Sequence, residues 1–390
     1  MAVDFTSLPI LDLQEAHSPD TKPSFLLALR DALVNVGFLY LKNPPIPDGL
    51  QDKLVEKAGA FFGLPTDVKE NVQMVNSKYI RGWTALGVER TATTVDRRET
   101  FIAGPKLSAP GPDMPYYSNF HGPNQWLPES TVPDMQPVFE AYIASMQGLA
   151  DEFTSLVAEA LDLSPKVLSR LFNDPPLGLL KSAAYPNPGS SSSASEDTNF
   201  QGVGPHKDAS FLTYLLQGTG HLSSLEVQNK SGAWISAPPI PNTLVINIGR
   251  GLEALTEGVC VATTHRVNLS PSQYIAPDGS PLGTRLSFPF FQTLHLDLRR
   301  EDMSLDMPAH ILSLRQRDVK SDAETFLDEI FKGPYGVSAF TSTLTSHPEV
   351  GRRWYPEILA EALEQQEKGK RMDDLRKETG ANKEIRVDAN

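Results

Sequence analysis

The chain has 390 residues, of which 40% are hydrophobic and 21% charged, and its formal net charge is −13 at pH 7. This length suffices for one large catalytic domain with helical additions, and the composition excludes a disordered protein. The acidic balance argues against nucleic acid and anionic membranes as partners, because both repel a negative surface. No apolar run approaches the roughly 18 residues of a transmembrane helix, and the N-terminal residues do not read as a secretory signal. The single cysteine, Cys260, suits a reducing compartment, so we expect a cytoplasmic protein.

The first half of the chain is mainly helical in pattern. Apolar residues at helical spacing predict a helix over 24–36, and a strand over 38–41 follows it. A second helix is predicted from about residue 48 to 62. Residues 103–133 are rich in proline, glycine and asparagine, which indicates a long ordered loop. A long amphipathic helix is predicted over 137–161.

The periodicity changes near residue 179. Short apolar runs separated by turn signals are typical of an all-β barrel or sandwich. The predicted strands lie in 179–185, 210–216, 224–228, 243–248, 261–267 and 284–291.

Four regions follow from these patterns. They are an N-terminal region of helices and strands (1–120), a linking loop with a long helix (121–178), a β core (179–300) and C-terminal helices with a tail (301–390). Within the core, residues 187–202 form a polar, serine-rich segment. Two interpretations of this segment stay open, a loop that closes over substrate and a passive surface insertion.

Three side chains in the β core have the character of iron ligands. On a strand, side chains at i and i+2 point the same way, so His206 and Asp208 are expected to share a face. A later strand can bring His265 beside them. Two imidazoles and one carboxylate form the facial triad of non-haem Fe(II) oxygenases. Such a triad leaves metal positions open for a bidentate 2-oxo acid and for O₂.

A second motif follows about twenty residues after His265. Arg285 and Ser287 are again related by i and i+2 on a predicted strand. A guanidinium makes two charge-assisted hydrogen bonds to a carboxylate, and a serine hydroxyl can donate a third. This pair suits the distal carboxylate of 2-oxoglutarate, and Tyr185 can add a phenolic donor.

A competing metal motif lies further along the chain. His295 and Asp297 form a second H-x-D pair with His347 downstream, but no R-x-S motif follows His347 and the intervening segment is charged and helical in pattern. We therefore do not expect a metal there. Trp83 and Phe291 are the aromatic residues proposed to line a substrate site, although such residues more often belong to a core.

Taken together, the motifs resemble the isopenicillin-N-synthase-like family of 2-oxoglutarate/Fe(II)-dependent dioxygenases. The N-terminal matches are an opening P-x-I-D-L-like strand, a G-F-hydrophobic strand and an F-F-x-L-P helix end, found at Leu8–Leu13, Gly37–Leu41 and Phe61–Pro65. Tyr185-Pro186, the H-x-D, His265-Arg266-Val267 and the R-x-S-x-x-F-F run from Arg285 to Phe291 follow in the family's order. The Trp83 region and the stretch from His121 to Trp126 resemble fungal branches of the family.

The resemblance implies a mainly β core with flanking helices, in the form of a double-stranded β-helix (jelly roll) with the metal at one open end. It also implies Fe(II), 2-oxoglutarate as cosubstrate and O₂, with succinate and CO₂ as coproducts. The expected reaction is hydroxylation, desaturation or ring rearrangement of a small molecule of specialised metabolism, by a protein expected to be monomeric. Two alternatives stay open, a cosubstrate-independent iron oxidase and a non-catalytic binding protein of this fold.

Overall fold

The computed structural model describes residues 4–91, 94–190, 201–221, 224–316 and 333–368. Residues 191–200, which make up most of the serine-rich segment, lie outside the described residues. The prediction of a loop that closes over substrate falls on this part of the chain. The tail after residue 368 also lies outside them.

The N-terminal residues form two parallel strands joined by a helix. Strand β1 (Ile10–Asp12) pairs with β2 (Phe38–Lys42), and helix α1 (Lys22–Asp31) with one π-helical turn connects them. Gly37 ends this helical segment with φ of 75°, in the left-handed region that favours glycine. A Cβ at Gly37 would lie 2.2 Å from the carbonyl oxygen of Val261, so the close approach also requires glycine.

Fourteen strands lie within the described residues. Besides β1 and β2 they are β3 (Gly82–Thr84), β4 (Arg90–Thr91), β5 (Thr94–Val95), β6 (Glu99–Ala103), β7 (Gly178–Tyr185), β8 (Gln201–His206), β9 (Leu212–Gln217), β10 (Leu225–Gln228), β11 (Trp234–Ser236), β12 (Thr243–Ile248), β13 (His265–Asn268) and β14 (Arg285–Gln292). An eight-stranded sheet has the order β1-β2-β12-β9-β14-β7-β6-β3 and a four-stranded sheet has the order β11-β10-β13-β8; β4 and β5 form a separate hairpin. N-terminal strands therefore extend the same sheet as the core strands.

The larger sheet is covered by a long helix on its outer side. Helix α4 (Met135–Ala160) follows α2 (Leu50–Phe62) and α3 (Thr66–Lys69), and it packs against α1, α2, β7 and β14. Its apolar side is buried as the periodicity predicted, including Phe139, Tyr142 and Phe153. The helix predicted over 137–161 is thus present, but it begins two residues earlier, at Met135.

Shorter helices complete the described chain. They are α5 (Arg250–Leu255), α6 (Ala309–Leu312), α7 (Tyr335–Ser346), α8 (Pro348–Trp354) and a further helix, α9, over residues 356–368. Helix α7 packs its Phe340 ring against Tyr116 and Phe120, at centroid distances of 5.4 Å and 4.9 Å. The C-terminal helices are thereby fixed to the loop that precedes α4.

This two-sheet arrangement with flanking helices is the double-stranded β-helix that the family resemblance implied. The main hydrophobic core lies between the larger sheet and the helices, and a smaller cluster around Val227 and Val245 lies between the two sheets. Within the described residues, no helix combines the length and apolarity needed to cross a bilayer.

Candidate active site

The residues singled out in the sequence lie at the ends of strands, around one cavity. His206 is the last residue of β8 and pairs with His265, the first residue of β13. Tyr185 is the last residue of β7 and pairs with Arg285, the first residue of β14. All four line the same cavity between the two sheets. Antiparallel pairing therefore brings together side chains that are far apart in the chain.

Asp208 reaches this cavity in a different way from the expectation. Strand β8 ends at His206, so Asp208 lies just beyond the strand and not on its face. Its Oδ2 accepts hydrogen bonds from Thr213 Oγ1 at 2.6 Å and Asn247 Nδ2 at 2.8 Å. The carboxylate is therefore oriented by β9 and β12, and its Oδ1 faces the two histidines.

The two imidazoles present matching nitrogens. His206 Nδ1 lies 2.8 Å from the carbonyl oxygen of Gly204, and His265 Nδ1 lies 3.3 Å from that of Thr263. A carbonyl only accepts, so each Nδ1 carries a hydrogen, and Nε2 is the nitrogen of each ring that is placed to bind a metal. The Nε2 atoms of His206 and His265 lie 3.5 Å and 3.8 Å from Asp208 Oδ1.

The electrostatics of His265 and Asp208 favour the protonation states that metal binding requires. Burial, together with the neighbouring His206, lowers the pKa of His265 to about 4. Burial acts to raise the pKa of Asp208, but the nearby imidazoles and the Thr213 hydrogen bond outweigh it and hold that pKa below its usual range. Neutral imidazoles and an ionised carboxylate are the forms that bind a divalent metal.

These residues fit Fe(II). One ligand atom from each of His206, Asp208 and His265 lies within 4.8 Å of the others, and no other group of three such residues occurs in the described parts of the chain. The donor set of two nitrogens and one oxygen is that of the facial triad. The hydrogen bonds to Nδ1 and Oδ2 are the outer contacts that fix such ligands.

The other end of the cavity contains a buried cation. Arg285 is 2% exposed, and its Nη1 has no hydrogen-bond partner among the residues that the structure describes. Burial lowers the pKa of this guanidinium, which Tyr185 and Tyr274 partly offset. Ser287 and Tyr185 line the cavity beside it. A buried cation with an unused donor can bind an anion such as a carboxylate.

A second cavity adjoins the first at Phe291, which lines both. It lies under α7, whose Tyr335, Ala339 and Ser342 face it, and it reaches Ala209 beside Asp208. Phe291 therefore lies between the two cavities, and its contact with substrate stays a prediction.

Trp83 does not line either of these cavities. It is buried in the core beside Phe101, its indole N–H donates to Glu99 Oε2 at 2.7 Å, and Lys69 Nζ lies 5.1 Å from its ring centre. The position proposed for Trp83 at the substrate site is therefore corrected, because the indole fills the end of the larger sheet.

The second H-x-D pair forms no metal site within the described residues. His295 Nδ1 accepts from the backbone N–H of Asp297, and Asp297 Oδ1 accepts from the Tyr117 hydroxyl at 2.8 Å. His347 instead lines the second cavity with Glu89 and Lys181.

Sequence reasoning missed several residues around the two cavities, among them Glu89, Arg98, Lys181, Thr213 and Asn247. Lys181 carried a usable signal, because it lies four residues before Tyr185 on one apolar strand and so shares its face. Glu89 and Arg98 carried none, since they lie outside the core strands.

Comparison with known proteins agrees with this geometry. Residues 8–129 match the family model of the non-haem dioxygenase in morphine synthesis N-terminal region, and residues 183–293 match that of the 2OG-Fe(II) oxygenase superfamily. In structure, a full-length Neurospora crassa protein crystallised in complex with α-ketoglutarate and thymine is similar, with a TM-score of 0.62 at 21% identity, over 84% of this chain and 98% of that one. At this identity the likeness concerns the fold.

Two fungal relatives are much more similar in sequence. A 2-oxoglutarate-dependent dioxygenase of Gibberella zeae is 44% identical over 97% of this chain and 99% of its own length. A 2-oxoglutarate-dependent dioxygenase of Dothideomycetidae sp. is 40% identical over 92% of this chain and 95% of its own. Both extend across the N-terminal region as well as the core. The chain therefore belongs to the 2-oxoglutarate- and Fe(II)-dependent dioxygenases.

Proposed function

We propose that His206, Asp208 and His265 hold the iron of this dioxygenase, and that Arg285, Ser287 and Tyr185 bind 2-oxoglutarate. The observation that carries the proposal is the single cavity with three convergent ligand atoms at one place and the unused donor of Arg285 at another. Both ends of the cosubstrate thereby find a partner.

The chain's residues act by binding and orienting. Arg285 neutralises the distal carboxylate of 2-oxoglutarate, and Thr213 with Asn247 keeps Asp208 turned toward the histidines. When bound, iron with 2-oxoglutarate supplies the oxidising chemistry, and succinate and CO₂ are released. The apolar strands around the cavity exclude water from the oxidation.

The alternatives left open by the sequence are less well supported. The presence of Arg285, Ser287 and Tyr185 does not exclude a cosubstrate-independent oxidase, whereas succinate release in the assay would exclude it. A non-catalytic binding protein would not need all three ligand residues oriented by outer hydrogen bonds. The fungal relatives named as 2-oxoglutarate-dependent dioxygenases favour the same choice.

The substrate is proposed to be a small molecule of specialised metabolism that binds beside Phe291. The resemblance to fungal branches of the family and the two fungal relatives support this. We also propose a monomer in the cytoplasm without nucleic-acid partners, on the basis of the net charge of −13 and the single buried cysteine. The division into regions 1–120, 121–178, 179–300 and 301–390 is likewise a proposal.

The test is succinate formation from 2-oxoglutarate by the purified protein with Fe(II) in air, measured across a metabolite extract of a fungus. Stimulation of succinate release by a fraction of that extract, absent in His206→Ala, is the expected result. A protein that binds no iron and forms no succinate under any of these conditions would contradict the proposal.

A further inference from the structure

The second cavity is apolar over most of its wall but contains buried charged residues. Leu177, Leu179 and Phe120 supply apolar surface, while Glu89 and Lys181 lie in the same wall. Buried charges are costly unless each is satisfied by a partner. Any atom among them without a partner therefore indicates what the cavity is built to bind.

Glu89 has one such atom. It is 5% exposed, and its Oε1 accepts from Lys181 Nζ and lies 3.2 Å from Arg98 Nη2. Its Oε2 is buried and has no hydrogen-bond partner within the described residues. Burial acts to raise the pKa of Glu89, but Arg98 and Lys181 outweigh it, so the carboxyl is ionised. An ionised carboxylate only accepts hydrogen bonds, so Oε2 requires a donor.

His347 has a second such atom. The side chain is 2% exposed and follows directly after α7. Its Nδ1 is buried without a hydrogen-bond partner in the described ranges, and the carboxylate oxygen Glu349 Oε1 lies 3.8 Å away. Burial lowers the pKa of His347 to about 4, so the ring is neutral at pH 7. A neutral imidazole nitrogen can donate to a ligand oxygen.

The charges around the cavity do not favour a cation. Glu89 and Asp96 are balanced by Arg98 and Lys181, with Arg98 Nη2 2.9 Å from Asp96 Oδ2. Near Asp208, Glu253 lies 3.7 Å from Lys207 Nζ. These ion pairs balance, so neither a cationic nor an anionic ligand would gain a net attraction from them.

We propose that this cavity binds the substrate, and that the substrate is a neutral, largely apolar molecule whose hydroxyl group donates to Glu89 Oε2 and accepts from His347 Nδ1. The inference rests on the proposed function. A hydroxyl satisfies both atoms because it donates and accepts at once. An ether cannot donate to Glu89, and an ammonium cannot accept from His347. A carboxylate would be repelled by the negative charge of Glu89.

Four probes that differ only in the polar group test this choice. They are 3-phenylpropanol, its methyl ether, 3-phenylpropylamine and 3-phenylpropanoate, each titrated calorimetrically into the anaerobic holoenzyme with Fe(II) and 2-oxoglutarate bound. The alcohol is expected to bind about tenfold or more tightly than each of the others, as for one hydrogen bond to a charged group.

Substitutions of Glu89 and His347 test whether these two residues cause the preference for the alcohol. Glu89→Gln turns an amide N–H₂ toward the cavity, so the preference of alcohol over ether should vanish. His347→Leu should weaken alcohol binding about tenfold, and His347→Gln, which keeps a donor, should restore most of it. Asp96→Asn is the matched control, because it alters the same ion cluster but does not line the cavity.

The outcomes separate this inference from the proposed function. If the wild-type protein does not bind 2-oxoglutarate, the proposed function itself is wrong. Intact 2-oxoglutarate binding with no preference for the alcohol, or with the amine bound most tightly, overturns only the inference. The inference is equally overturned if Asp96→Asn abolishes the preference as fully as Glu89→Gln.

Discussion

Arg285 and Tyr185 face each other across β14 and β7, and the guanidinium carbon lies 4.8 Å from the centre of the tyrosine ring. The aromatic face stabilises the cation while leaving the edge of the guanidinium open to the cavity. The Tyr185 hydroxyl in turn lies 3.5 Å from Arg98 Nη1. The arginine is thus held in place before any anion arrives, which lowers the entropy lost on binding.

Replacing Arg285 should therefore weaken 2-oxoglutarate binding. We expect Arg285→Ala to cost about 2–5 kcal/mol, and Arg285→Lys to recover part of it, because an ammonium lacks the paired donors of a guanidinium. Calorimetric titration of 2-oxoglutarate measures the effect. Arg266→Ala is the control, since Arg266 pairs with Glu226 outside the cavity. Unchanged affinity in Arg285→Ala would show that another residue binds the distal carboxylate.

Removing a ligand should abolish iron binding. His206→Ala and Asp208→Ala are expected to lose the single Fe(II) per chain and the succinate formation, with the fold retained. The iron content and the rise in Tm on adding Fe(II) measure this, because a ligand that binds only the folded state stabilises it. His295→Ala should behave as wild type. An equal loss of iron and of succinate formation in His295→Ala would indicate that the second H-x-D pair binds the metal.

Replacing a residue that orients Asp208 should weaken iron binding less than replacing a ligand. Thr213→Val keeps the side-chain shape but removes the 2.6 Å hydrogen bond to Asp208 Oδ2. We expect iron affinity to fall about 10- to 100-fold, the usual range for such outer contacts. Thr243→Val is the matched control, because Thr243 donates to the Ile240 carbonyl instead. A wild-type iron affinity in Thr213→Val would show that Asn247 alone suffices.

Protein stability should depend on pH through His347. Its pKa of about 4 in the folded protein lies below the ordinary value of 6.5, through burial and the nearby Lys181 and Arg98, which outweigh the attraction of Glu89. Between these pH values the unfolded chain binds one more proton than the folded chain, so stability falls as the pH drops from 6.5 to 4.

The loss of stability across this pH range approaches about 3 kcal/mol, the free energy that corresponds to the difference between the two pKa values. Urea unfolding of the metal-free protein at about pH 7, 5.5 and 4.5, compared between wild type and His347→Gln, isolates the contribution. The variant should show a flatter dependence, since Gln does not titrate. Parallel curves for the two proteins would mean that His347 titrates normally in the folded state.

Most of the fold could be predicted because the sequence patterns of its strands and helices are local. The strand patterns of β7, β9, β12 and β14 alternate or run apolar between turn residues, and α4 shows its buried stripe directly. The R-x-S and H-x-D motifs likewise predicted side chains that the structure brings to one cavity, Arg285 and His206 among them. Strand β11 was not predicted, and β8 was expected only from the H-x-D motif, as a strand that continues to Asp208, whereas it ends at His206.

The second cavity was beyond sequence reasoning for a physical reason. Glu89, Lys181 and His347 meet only through tertiary contacts between a loop, a core strand and the residue after α7. Trp83 shows the converse error, because a motif position suggested the substrate site while the side chain packs in the core. Spacing predicts which side chains share a strand face, but not which loop folds over that face.

The pairing of β2 with β12 has a practical consequence for dissecting this protein. Phe38 on β2 lies opposite Asn247 on β12, and its ring contacts His265 at 5.2 Å between centroids. A fragment limited to the catalytic strands would lose this contact and leave β12 as a bare, apolar sheet edge, the kind of edge that promotes aggregation. Expression trials should therefore keep the N-terminal segment through Lys42 together with the core, and a proteolytic cut between them should precipitate the protein rather than release a soluble oxygenase.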